Sequence, residues 1–238
     1  MKSSLRLPTR RRGHEPPVRV CTKPPVRIRL KRSLWQAVNR QAAGPRGPFG
    51  LLLGWIWSRE HAALNAEVID VLAVRPGHRV ADVGCGPGQA VRMLAAIDPS
   101  VSALGLDTSA LMTWLTRARN RSAVARGQVV TLVVTPPELP VEPASVDRIM
   151  SVHSIYFWPD QRDTLARLVH ALAPGGRLVL AFRPDGADIP ARFRDRTYTF
   201  PRTADLEGLL GTLGLTDIRS THAHAAPEVV LLGGRLPG

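Results

Sequence analysis

Cysteine, lysine and long apolar runs are scarce in this chain of 238 residues. Its two cysteines, Cys21 and Cys85, are too few for a disulfide framework, so the composition favours a reducing cytoplasm. The longest apolar run near the start covers residues 50–57, against about 20 residues for a membrane-spanning helix. No apolar stretch of about 7–15 residues follows the basic start. We therefore expect neither a membrane span nor a secretory signal.

Acidic residues are almost absent from the first 33 positions. The whole chain has a net charge of +13, which on its own suggests a nucleic-acid or anionic-surface protein. However, residues 1–33 hold eleven basic side chains and one acid, Glu15, which gives this segment +10 and leaves +3 for the other 205 residues. The body of the protein is therefore nearly neutral, and the charge belongs to an arm.

The arm is also rich in proline, which lacks the backbone donor that a helix needs. We predict three parts: a disordered Arg/Pro-rich extension at 1–33, a helical cap at 34–75 and the main domain at 76–238. The extension is interpreted as a flexible tail or as the result of an over-extended translation start site. The alternative is an arm that binds nucleic acid or a membrane surface.

Strand and helix patterns alternate through the main domain. Apolar residues at steps of three and four predict a helix over Leu51–Leu72, which Pro76-Gly77 ends. We then expect strands at Arg79–Val83, Ala103–Leu106, Val129–Val134, Val146–Val152, Arg177–Phe182, Thr216–Thr221 and Glu228–Leu232, and helices at Gln89–Ile97, Ser109–Arg121, Asp160–Leu172 and Ala204–Leu213. This order predicts an α/β fold with a parallel sheet covered on both faces and a final antiparallel hairpin.

The first predicted strand leads directly into a turn with three glycines, Gly84, Gly86 and Gly88, followed by a helix. Ligands of such sheets lie beyond the carboxyl ends of the strands, where glycine permits close approach of the backbone. Gln89 stands where a dinucleotide fingerprint needs a third small residue, and no Gly-Lys-Ser/Thr phosphate loop is present. The turn therefore argues against NAD and against a phosphate-binding loop.

A carboxylate ends the second predicted strand. Asp107 lies 19 residues after Gly88, and one carboxylate can accept hydrogen bonds from both hydroxyls of a ribose. The alternative is that Asp107 or Thr108 caps the helix that starts near Ser109.

Four motifs in order resemble class I S-adenosylmethionine (SAM)-dependent methyltransferases over about residues 45–233. They are the D-x-G-x-G-x-G segment from Asp82, the acidic end at Asp107, the stretch from Asp147 to Asp160, and the L-x-P-G-G-x-L turn from Leu172. The sequence is most similar to the small-molecule branch, typified by ubiquinone/menaquinone-biosynthesis methyltransferases.

The resemblance implies a Rossmann-like three-layer sandwich with a seven-stranded, mostly parallel sheet whose last strand is antiparallel. It also implies that the 51–72 helix closes over the cofactor SAM. The cofactor-binding residues that it implies are Asp82, Gly84, Cys85, Gly86, Gly88, Asp107, Thr108, Thr135, Pro136 and Val152. Cys85 is interpreted as a small loop residue, because nothing basic is placed to activate its thiol.

His153 and Tyr156 follow the fourth predicted strand, beside the expected position of the methyl group. His153 is the first candidate for a base or substrate contact, with the alternative that it only orients the loop. The aromatic run from Tyr156 to Trp158 is interpreted as packing, with a substrate wall as the alternative. His222 and His224 lack the additional ligands that a metal site needs, so no metal is predicted.

The sequence departs from the family at Thr135-Pro136, where the family has an Asp that accepts from the adenine amino group and a backbone N–H that donates to the ring. Threonine has no carboxylate and proline no N–H, so both adenine contacts are absent unless Glu138 substitutes. The leading hypothesis is a small-molecule methyltransferase. The alternatives are a SAM-fold partner or regulator that binds the cofactor weakly or not at all, and a nucleic-acid methyltransferase that uses the arm.

Overall fold

The computed structural model describes residues 38–39, 41–186, 189–194 and 196–238. The predicted extension at 1–33 and the start of the predicted cap lie outside these residues. The strands are β1 (Arg79–Val83), β2 (Ser102–Asp107), β3 (Val129–Val133), β4 (Val146–Val152), β5 (Leu172–Phe182), β6 (Thr216–His222) and β7 (Val230–Arg235). The helices are α1 (Gly47–Glu60), α2 (Ala62–Leu72), α3 (Gln89–Ile97), α4 (Ala110–Arg119), α5 (Arg121–Ala125), α6 (Gln161–Ala171) and α7 (Thr203–Thr212), with 3₁₀ turns at Ile155–Phe157 and Ala191–Phe193.

The seven strands form one sheet in the order β3-β2-β1-β4-β5-β7-β6. Strands β1 to β5 pair in parallel, and β7 runs antiparallel to both β5 and β6. The predicted fold class is therefore confirmed, including the reversed last strand. The order changes direction between β1 and β4, and such a switch point is where doubly wound sheets bind ligands.

The core is divided by the sheet into two layers of buried apolar side chains. Leu64, Val68 and Leu72 of α2 pack with Val91 and Leu94 of α3 on one face. The other face is covered by α6 and α7, which contribute Leu165, Leu168, Leu206 and Leu210. These helices bury one apolar stripe each, as the three- and four-residue spacing predicts.

Several predicted boundaries are wrong. The single helix predicted over Leu51–Leu72 is two helices, α1 and α2, separated at His61, whose ring lies 4.8 Å from that of His153. The helix predicted over Ser109–Arg121 ends at Arg119, and α5 follows it.

The boundaries of β5 and β7 also differ from the prediction. The fifth strand begins at Leu172 and not at Arg177, because Leu172 already pairs with Val146 before a shift in register. The last strand is displaced to Val230–Arg235, since Gly233 and Gly234 pair with β5 although glycine disfavours strands. Among the described residues, no helix has the length and apolar character to cross a membrane.

Candidate active site

A cavity of about 590 Å³ opens at the carboxyl ends of β1, β2 and β4, next to the switch point of the sheet. Ligand sites typically have volumes of about 300–1,000 Å³. The start of α2 and the loop between β6 and β7 also line it, through Leu64 and Asn65 on one side and Ala225 to Glu228 on the other. The cavity therefore lies between the strand ends and two segments that cover them.

The three positions after β1 require glycine for different structural reasons. A Cβ on Gly84 would lie 2.3 Å from Ser154 Cβ, and one on Gly88 would lie 2.6 Å from Thr116 Cγ2. Gly86 faces open space instead, and all three have positive φ. Gly84 and Gly88 are thus required by packing within the protein, whereas Gly86 leaves room for a ligand.

Cys85, between the first two of these glycines, is buried, and its Sγ lies 3.7 Å from Thr116 Oγ1. Burial, assisted by the charges of Asp107 and Asp82, raises the pKa of the thiol well above its ordinary value. The thiol therefore stays protonated, in agreement with the interpretation of Cys85 as a small loop residue. Its backbone N–H donates to Leu106 O at 3.0 Å and ties the turn to β2.

Asp82 is the most unusual charged residue of the site. Its side chain lines the cavity, the residue is only 3% exposed, and its carboxylate forms no hydrogen bond or ion pair within the described part of the chain. Burial, and secondarily the charge of Asp107, raise the pKa of Asp82 to about 7. A buried charge without a partner is costly, so a cationic ligand beside this carboxylate would be favoured.

Asp107 is held by two backbone donors. Gly86 N donates to its Oδ2 at 2.9 Å, and Ser109 N donates to its Oδ1 at 2.8 Å. Each oxygen keeps a second lone pair for a ligand. Ser109 caps α4, because its side chain accepts from Met112 N at 3.3 Å; the alternative that Asp107 or Thr108 is the cap is therefore wrong.

Most of the sequence-predicted site residues meet at this cavity. Those that line it are Asp82, Gly84, Cys85, Gly86, Asp107, Thr108, Pro136, Val152, His153 and Tyr156. Gly88 and Thr135 do not line it, and Thr135 is exposed. Glu138, considered as a substitute for the missing Asp, is also exposed and away from the cavity wall, with its N–H donated to Thr135 O at 3.0 Å.

His153 has a left-handed backbone, with φ of 55°, and its N–H donates to Ala181 O at 2.8 Å. Its Nδ1 lies 2.9 Å from the hydroxyl of Tyr156, which also accepts from Arg183 N at 2.5 Å. Burial lowers the pKa of His153 to about 3, with smaller contributions from His61 and Arg183. The imidazole is therefore neutral at ordinary pH and a weak proton acceptor.

Sequence reasoning missed a second group of cavity residues. His61 lies at the break between α1 and α2, and Arg183 follows β5 and pairs with Glu228 at 2.8 Å. Tyr198 and Phe200 line the cavity with stacked rings 5.7 Å apart. Their spacing of two residues, which places side chains on the same side of an extended segment, was the available signal.

A switch-point cavity with a glycine turn and two strand-end carboxylates is typical of nucleotide-type ligand sites in doubly wound sheets. Comparisons with known proteins agree. Residues 81–180 match the family described as methyltransferase domain. An uncharacterized methyltransferase, YdaC of Bacillus subtilis, is 26% identical over 184 residues, covering 75% of this chain and 94% of that protein.

Two further similarities extend this result. The trans-aconitate 2-methyltransferase of Variovorax paradoxus is 34% identical over 112 residues, and the match spans 47% of this chain and 40% of that enzyme. A solved complex of the Haloferax volcanii Trm112 methyltransferase activator with a methyltransferase aligns with a TM-score of 0.67 and 19% identity, covering 89% of this chain and 100% of that one. These similarities support a class I SAM-dependent methyltransferase, and the family match itself covers residues 81–180. These matches do not select the quinone-biosynthesis branch.

Proposed function

We propose that this protein binds SAM in the 590 Å³ cavity and transfers its methyl group to a small-molecule acceptor. The observation that carries the proposal is Asp82, a buried carboxylate without a partner among the described residues, which lines the cavity beside the glycine turn. A cationic ligand supplies the counter-charge that this carboxylate lacks.

The residues at the strand ends fit the parts of SAM. Asp82 faces the cationic methionine portion, and Gly86 leaves open space for the ligand next to it. Asp107, already oriented by two backbone N–H groups, keeps lone pairs for the ribose hydroxyls. Val134 and Pro136 line the remaining wall and offer apolar contact to the adenine without a side-chain carboxylate.

When bound, SAM supplies an electrophilic methyl group on a positively charged sulfur. The contribution of the chain is to hold the acceptor in line with that methyl, at about 3–3.5 Å, and to exclude water. The segments that cover the strand ends are joined by Glu67 of α2, whose carboxylate accepts from His224 N at 2.8 Å and from Ala225 N at 3.0 Å. This link keeps the β6–β7 loop over the site.

A small acceptor is favoured because the cavity is lined on several sides and must hold both molecules. The similarity to a trans-aconitate methyltransferase supports an acceptor of this size, although the match covers 40% of that enzyme. The body of the chain carries a net charge of only +3, which does not favour a nucleic-acid substrate.

Calorimetric titration of the full chain with SAM, and with its demethylated product, tests the proposal. We expect binding of both, and a severe loss for Asp107→Ala with an unchanged circular dichroism spectrum. No heat at millimolar ligand would contradict the enzyme and favour the SAM-fold partner or regulator. Binding of the Asp107→Ala variant within twofold of the wild type would contradict the placement of the ribose.

The nucleic-acid alternative has its own test. Deletion of residues 1–33 removes ten of the thirteen net charges. If the protein is retained on RNA or DNA at low salt and the arm is responsible, the deletion abolishes retention. Unchanged retention after the deletion would show that residues 1–33 do not bind the nucleic acid.

A further inference from the structure

One part of the cavity has a distinct, aromatic composition. We call it the aromatic end and define it by His61, His153, Tyr156, Phe157, Tyr198 and Phe200, all of which line the cavity. Their rings form a continuous set, with centroids 4.8–6.3 Å apart. Within this set, Tyr156 contacts every other ring except that of His61. A flat apolar ligand is the natural complement of such a wall.

A chain of hydrogen bonds through Tyr156 determines which nitrogen of His153 carries the proton. The Arg183 N–H can only donate, so the Tyr156 oxygen accepts from it. The hydrogen of the Tyr156 hydroxyl then needs an acceptor, and in the described part of the chain His153 Nδ1, 2.9 Å away, is the one within reach. Nδ1 is therefore unprotonated, and the neutral ring carries its hydrogen on Nε2.

Nε2 of His153 has no hydrogen-bond partner in the segments that the structure describes, and the residue lines the cavity. We propose that His153 donates a hydrogen bond from Nε2–H to an oxygen of the acceptor and does not serve as a base. The geometry points to a neutral, flat and mainly apolar acceptor that carries a carbonyl-type oxygen. This inference rests on the proposed function and names the acceptor class of the same site.

The charges at this end support a neutral acceptor. Arg183 is the single Lys or Arg among the described residues that line the cavity, and Glu228 already pairs with it at 2.8 Å. Burial lowers the pKa of both His61 and His153, so neither ring supplies a positive charge. Glu60 and Glu228 also line the cavity, so an anionic acceptor would meet negative charge here.

The first test observes the tautomer in the full chain by nitrogen NMR with labelled histidine at pH 7. Comparison with the spectrum of His153→Asn assigns the signals, and asparagine tolerates the left-handed backbone of this position. We expect a pyridine-type Nδ1 and a pyrrole-type Nε2. In Tyr156→Phe, which lacks the hydroxyl donor, we expect the tautomers to mix. A protonated Nδ1 in the wild type would overturn the inference.

The second test measures the acceptor preference with three probes of the same ring: acetophenone, ethylbenzene and benzoate. Saturation-transfer NMR in the presence of the demethylated cofactor product gives their relative affinities. We expect acetophenone to bind best, and its advantage over ethylbenzene to fall about threefold to tenfold in His153→Asn, which corresponds to one lost hydrogen bond. His222→Asn, at an exposed position outside the cavity lining, is the matched control.

The outcomes separate this inference from the proposed function. Strongest binding of benzoate, or the same preference in His153→Asn as in the wild type, would overturn the acceptor class. If SAM binds and Nδ1 is protonated, the inference fails and the proposed function stands. If SAM does not bind and the tautomer is as expected, the proposed function fails while the donor role of His153 is retained.

Discussion

Replacement of Asp82 by asparagine is expected to stabilise the fold while weakening cofactor binding. The carboxylate is buried without a partner among the described residues, and its pKa is raised to about 7 from an ordinary value of 3.8. The folded protein therefore resists the ionisation that the unfolded chain undergoes freely. The amide has nearly the same shape and no charge to bury.

The pH dependence of this stability difference follows by linkage. Below pH 3.8 Asp82 is protonated in both states, and the wild type and the variant unfold with similar free energies. As the pH rises towards 7, the unfolded chain releases a proton that the folded one keeps, so the wild type alone loses stability. A pKa difference of about three units corresponds to about 4 kcal/mol above pH 7.

Urea unfolding of both proteins between pH 4 and pH 8, without cofactor, measures the difference. We expect Asp82→Asn to exceed the wild type by an amount that grows across this range. An equal or lower free energy of unfolding for the variant at pH 8 would contradict this prediction. It would mean that the ionised Asp82 carboxylate is already stabilised in the folded protein.

The affinity of the wild type for SAM should rise over the same pH range in which its free energy of unfolding falls. The ionised fraction of Asp82 rises from about one-tenth at pH 6 to about nine-tenths at pH 8, so the wild-type affinity for SAM should increase about tenfold. The variant should bind more weakly at pH 8 and show a flatter profile. Because the ligand's own titration is common to both proteins, the comparison isolates Asp82. Parallel profiles would contradict its assignment.

Other residues give further predictions. Gly84→Ala should destabilise the fold by several kcal/mol, because its Cβ would lie 2.3 Å from Ser154 Cβ. Gly86→Ala, at a position that faces open space, should cost only about 1–2 kcal/mol of backbone strain. Thermal unfolding measures both losses of stability, and equal losses would contradict the packing role of Gly84. Glu67→Gln should speed hydrogen exchange at His224 N, which the carboxylate now holds at 2.8 Å, and an unchanged rate would show that other contacts retain the loop.

The parts of the fold that depend on local pattern were predictable. β4 begins and ends at the predicted residues, Val146 and Val152, because left-handed backbone at Ala144 and His153 bounds it on both sides. Asp82 and Asp107 were recognised since each lies at the carboxyl end of an apolar strand, and the carboxyl ends of adjacent parallel strands meet at one edge. Local sequence thus predicts the part of the cavity that Asp82 and Asp107 line.

The aromatic end depends on contacts between distant parts of the chain. His61 faces His153, and Tyr198 packs on Tyr156, only after the sheet and its connections have formed. The pair Arg183–Glu228 spans 45 positions and carries no local signal. The hydrogen-bond environment of His153 was unpredictable for the same reason, because Tyr156, its partner, also accepts from the Arg183 N–H, which no spacing in the sequence reveals.

The placement of SAM is tested most directly by a double-mutant cycle between Asp107 and the ribose. Calorimetry would compare the demethylated cofactor product with its 2′,3′-dideoxy analogue, on the wild type and on Asp107→Ala. We predict that loss of the hydroxyls weakens binding to the wild type by at least tenfold and barely affects the variant, because the carboxylate is their partner. An equal loss in both proteins would contradict the placement of the ribose at Asp107.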